Sequence, residues 1–80
     1  MRSIHEVINS PGPVDQDEAL ALALAACEGI VDPITHDYFV SELKSALVLI
    51  EVEDIMGVDG VVRNHARELL KKIEAATVGG

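Results

Sequence analysis

Three basic side chains, Arg63, Arg67 and Lys71, step by four along one stretch of the chain, with Lys72 beside them. On a helix that spacing sets them in one row. Such a row can hold phosphates, with Arg offering forked donors and Lys a point charge. In a symmetric oligomer, several copies could converge on one anionic small molecule such as a nucleotide. The plainer reading of the same row is a solvated face whose cations suit the C-terminal end of the helix dipole. Charge elsewhere limits the partners. Fourteen acids oppose six bases for a net −8, and residues 1–59 alone hold twelve acids and two bases. So acidic a surface repels nucleic acid. An anion site must therefore fall on the last helix, and the acidic remainder suits a basic partner.

A second group with possible chemistry is Glu51, Glu53 and Asp54. Glu51-x-x-Asp54 resembles half of the motif of the all-α nucleotide pyrophosphohydrolases, in which two acid pairs on facing helices hold Mg²⁺. The resemblance implies Mg²⁺-dependent hydrolysis and covers only a few residues. The second pair would have to be Asp15 and Glu18, at a helix start and of the wrong type. Glu53 also stands where that family prefers a small residue. His65 and Glu68 are three apart and make half a metal site at best, and His36 has no Glu at the spacing of a di-iron carboxylate pair.

Other motifs fall away on inspection. Ser41 and Ser45 lack the Asp-Ser-Leu context on which acyl carrier proteins bear their cofactor. The run 56–59, Met-Gly-Val-Asp, is similar to the turn of a helix-turn-helix, but the following residues 60–62 offer no polar base-readers. A terminal Gly-Gly ends ubiquitin-like modifiers too, yet those are β-rich and this composition is not. The single Cys27 rules out a disulfide framework and a Cys-based zinc site, and reads as a small core residue. No metal, no cofactor and no catalytic residue is expected.

Ala and Leu dominate and strict alternation is rare, so the elements are helices. Ser3 and Glu6 have capping-box spacing ahead of Ile4, Val7 and Ile8, which predicts a short N-terminal turn. The 10–13 stretch, Ser-Pro-Gly-Pro, breaks it. A helix over 15–28 follows, with Asp15 and Glu18 at capping-box spacing, Val14 as a staple and Gly29 as the stop. Residues 19–27 contain no polar side chain, which predicts burial on all sides. Nine apolar residues are far short of the roughly 20 of a membrane span.

Asp32 as cap and Pro33 at the first helical position start a helix over 33–56, with Gly57 as its stop. It carries two apolar faces. Phe39, Val40, Leu43, Ala46, Leu47 and Ile50 form one. Ile34, Tyr38, Ser41, Ser45, Val48, Val52 and Ile55 form the other, stepping 4, 3, 4, 3, 4, 3 and flanked by Leu49 and Met56. Most charges, namely Asp37, Glu42, Lys44, Glu51 and Glu53, fall on the narrow flanks between the two faces. A last helix over 60–76 has one stripe, Val58, Val62, Ala66, Leu69, Ile73 and Ala76. The short link between the last two helices predicts an antiparallel hairpin.

The expected fold is all-α: one domain over 1–80, three helices behind an N-terminal arm (1–14), and a flexible tail (77–80). One face of the central helix packs within the chain. The other is the expected subunit interface, because a chain of this length seldom buries a central helix on both sides. The expected function is a small acidic protein-interaction module acting as a homo-oligomer, as an adaptor, an inhibitor or a phage-type accessory protein. The rival is an oligomeric binder of an anionic small molecule on Arg63, Arg67 and Lys71, and the enzyme reading comes third. Without a signal peptide or a span, the expected location is the cytoplasm.

Overall fold

The computed structural model describes residues 3–9, 14–57 and 60–77. Four helices account for most of them, and no strand occurs among the described residues: α1 (Ile4–Asn9), α2 (Gln16–Ala26), α3 (Pro33–Met56) and α4 (Val61–Thr77). The expected all-α class holds, with four helices where three and a turn were expected. The extra one lies in the supposed arm. The Ser3 hydroxyl accepts the Glu6 N–H at 3.2 Å and its carbonyl accepts the Val7 N–H. That capped turn presents Val7 and Ile8 to the core, where both are buried. Thr77, placed in the tail by the sequence, completes α4.

α3 is the central element, in contact with α1, α2 and α4. Asp32 caps it as expected. One carboxylate oxygen accepts the Thr35 N–H at 2.9 Å and the Thr35 hydroxyl at 2.7 Å. These bonds hold the Asp32 carboxyl below its ordinary pKa, the hydroxyl bond contributing most. The helix stops at Gly57, whose left-handed φ of 69° lets its N–H return to the Glu53 carbonyl. Only glycine adopts that conformation at little cost.

The core lies on the first face of α3. Leu43, Ala46, Leu47 and Ile50 are buried there with Ala19, Leu22, Ala23 and Cys27 from the α2 side and Ala66, Leu69 and Ile73 from α4. Phe39 and Val40 pack partly against this cluster. Burial pushes the Cys27 thiol pKa up, which suits a small core residue rather than a reactive one.

α2 departs from expectation in three ways. Asp15 stands at the cap position with extended backbone, but its carboxylate accepts no cap bond. The helix ends at Ala26, two residues short of the expected bound, because Cys27 turns out of it while bonding back to the Ala23 carbonyl. It is also not buried all round. Leu20, Leu24 and Ala25 are exposed, since α2 has one substantial neighbour, α3, and one neighbour covers one side. Gly29 does not stop the helix through a positive φ. Its role is close approach: a Cβ there would collide with the Thr77 side chain at the end of α4.

α4 is amphipathic as expected over its middle, but Ala76 is exposed, and Val58 lies outside the described residues. The end of α3 meets the start of α4 through Glu53 and Arg63, while the loop before α3 meets the end of α4 through Gly29 and Thr77. Among the described residues no helix is long and apolar enough to cross a membrane.

Candidate functional site

The turn from α3 to α4 gathers the densest charge. Glu53 is 2% exposed, the one buried charged residue among the described residues. A buried carboxylate must be paired or it is strongly disfavoured. Both of its oxygens are used. Oε2 accepts the Val62 N–H at 2.6 Å, one of the free amides of the first turn of α4, and Oε1 accepts Arg63 Nη1 at 2.7 Å. Arg63 also grips Asp54 in a forked pair, at 2.7 and 3.1 Å, and its Nε donates to the Ile8 carbonyl at 2.8 Å. One guanidinium thus ties the ends of α1 and α3 to the start of α4. The Asp54 bonds first, then those to Glu53, hold it more firmly protonated than an ordinary arginine.

This network redistributes two groups of sequence candidates. Arg63 turns toward two carboxylates and a carbonyl instead of standing in a row for phosphate. Arg67 donates to Asn64 and Asn9 at 2.9 and 2.8 Å. Lys71 is exposed, with Glu68 at 3.8 Å. Arg67 and Lys71 do border one groove of about 260 Å³ with His5 and Asn9, but the acidic residue Glu74 lines it too. Of the acids, Asp54 holds Arg63 and Glu53 is sealed, while Glu51 is exposed. No group of three or more His, Cys, Asp or Glu able to hold a metal occurs among the described residues. His36 lies 3.4 Å from its neighbour Asp37, and His65 is exposed.

Sequence reasoning missed the Glu53–Arg63 pair. Helical spacing places Glu53 beside the buried face, and that was the available signal. Its partner lies ten residues on, across a glycine turn that no periodicity describes.

The second face of α3 stands in contrast. Ile34 is 80% exposed, Ile55 77% and Met56 70%, with Tyr38, Leu49 and Val52 about half exposed. Ser41 and Ser45 are exposed at its centre, and Val48 is half-buried. The small serines leave a groove of about 450 Å³, bounded by Ser41, Lys44, Ser45, Val48, Leu49 and, from the start of α2, Gln16. Leu20 and Leu24, both exposed, follow Gln16 at steps of four on α2. All seven stripe residues named from the sequence therefore share one face of a single 24-residue helix. Tyr38 is steadied by an edge-on contact with the Phe39 ring, 5.2 Å between centroids. Chemically the face can bury apolar area and admit knobs at its serines. No family model, no curated protein and no solved structure matches this chain.

Proposed function

We propose that this chain is a protein-interaction module that works as a homo-oligomer, with the outer stripe of α3 as the subunit interface and α3 and α4 as an antiparallel hairpin behind it. One observation carries the reading. Ile34, Tyr38, Val52, Ile55 and Met56 are left open along a helix whose opposite face is sealed. Soluble monomers rarely expose a contiguous apolar patch beyond a few hundred Å². A chain of 80 residues has little core to spare, so a second subunit would add burial it lacks. The net charge of −8 points any further partner toward a basic protein.

The test is Val52→Asp. In a dry interface it leaves an unpaired carboxylate, at a cost of several kcal/mol. The mass by light scattering should fall to that of the 8.6 kDa chain, with helicity lost as well if the separated subunit cannot stand alone. On an exposed surface the same change stays within about 0.5 kcal/mol. A silent substitution in an oligomeric protein, or a wild type that is monomeric at high concentration, overturns the proposal.

A further inference from the structure

The stripe on α3 also carries a polarity. We infer that its occupant is a second copy of α3 lying antiparallel, in the register that sets Ser45 against the partner's Val48. The inference rests on the oligomer reading above and adds an orientation to it.

The argument begins with spacing. Tyr38, Ser45 and Val52 recur every seven residues, and so do Ile34, Ser41, Val48 and Ile55. Two interleaved seven-residue series form the seam of a coiled coil, in which one series faces the other when the helices are antiparallel. Two such registers each keep six of the seven seam residues in contact. One pairs Ser41 with the partner's Ser45 and Ile34 with the partner's Val52, and it brings Lys44 beside the partner's Lys44 and Asp37 beside the partner's Glu51, like charge on like. The other avoids both clashes and leaves Ile34 alone beyond the end of the partner's helix. In that register Ser45 meets the partner's Val48, Ser41 meets the partner's Val52, and Tyr38 meets the partner's Ile55. Each central layer then pairs a small serine with a branched valine. The 450 Å³ groove beside Ser41 and Ser45 lies next to the two-fold axis, where the partner's Val48 would enter it.

Charge chooses between the orientations. Asp37, Lys44 and Glu51 also recur every seven residues and line one flank of the seam, while Thr35, Glu42, Leu49 and Met56 line the other. An antiparallel pair brings like flanks together. In the register above, Lys44 comes within two residues of level with the partner's Glu51, about 3 Å along the axis. The two-fold makes that attraction twice. A parallel pair brings opposite flanks together instead. It sets Asp37 beside the partner's Glu42, acid on acid, and leaves Lys44 against the partner's Leu49. Flanking charges of this kind set orientation in helical pairs. Within one chain Lys44 and Glu51 are two turns apart, roughly 10 Å, so the pairing has no intramolecular counterpart.

The test is a charge swap read by sedimentation equilibrium, with circular dichroism to follow helicity. Lys44→Glu sets two acids against each other at both ends, and Glu51→Lys sets two lysines. Each single variant should weaken the dimer by on the order of 10-fold or more. The double variant Lys44→Glu/Glu51→Lys should return it to within a few-fold of wild type. Helical, dimeric single variants with unchanged affinity, or a double variant weaker than both singles, overturn the antiparallel register and leave the oligomer intact. A wild type that never associates overturns the oligomer reading itself.

Discussion

The two faces of α3 are built from similar residues and meet different fates. On the inner face, Leu43, Leu47 and Ile50 are fully enclosed. On the outer face, Val48 and Val52 on the same turns keep contact with solvent, and Ile34 and Ile55 are open. Composition therefore does not decide which face belongs to the subunit's own core. Coverage does: the residues of α3 that are enclosed where α1, α2 and α4 meet it are those of the inner face. The inner face is also locked at its end, where the buried Glu53 carboxylate is held by Arg63. The outer face has no such lock. The inner face is enclosed within the chain, and the outer one is open in it.

The largest expected effect tests the lock. Arg63→Ala would leave Glu53 buried without its cation, which in comparable buried pairs costs about 3–5 kcal/mol. Urea denaturation should show that loss. Arg67→Ala, four residues on, removes bonds to two exposed asparagines and should stay within about 0.5 kcal/mol. Equal losses at both sites would mean that the network is no special anchor.

Next comes the direct contrast between faces. Leu47→Ala opens a cavity in the enclosed side and should cost about 2–5 kcal/mol at any protein concentration. Val52→Ala should cost little in the isolated subunit, and its effect should appear as a melting temperature that depends more weakly on protein concentration. Concentration-independent losses at both positions would erase the distinction.

The smallest effect belongs to the helix start. Asp32 has a folded pKa below its ordinary 3.8, because Thr35 bonds favour the carboxylate. Its contribution is therefore present in full above that ordinary value and fades as pH falls through the folded value. Asp32→Ala should lower the melting temperature slightly near neutrality, and the gap from wild type should narrow in acid. A gap that widens in acid would contradict the capping role.

What could be read from the sequence follows the range of the interactions. The Asp32 cap and the Gly57 stop depend on neighbours within four residues, and both stand where expected. The inner and outer stripes of α3 follow from one period along one helix. Failures began where two elements had to meet. Residues 19–27 are apolar all round, yet how many sides of α2 are covered depends on how many helices lie beside it. Val7 and Ile8 join the core from a segment read as an arm, because their partners are distant in the chain. Arg63 was placed in a basic row by its spacing, while its acids lie on another helix across a turn. The outer stripe was legible as a face, but nothing in a single sequence names what covers it.

The most direct measurement is the solution mass of the unmodified protein across a wide concentration range, by sedimentation equilibrium or light scattering. A stripe that pairs with a second copy predicts a mass that is a multiple of 8.6 kDa and falls toward the single chain on dilution. A mass of 8.6 kDa held up to the highest soluble concentration would contradict the account, and would show the outer face of α3 to be open surface.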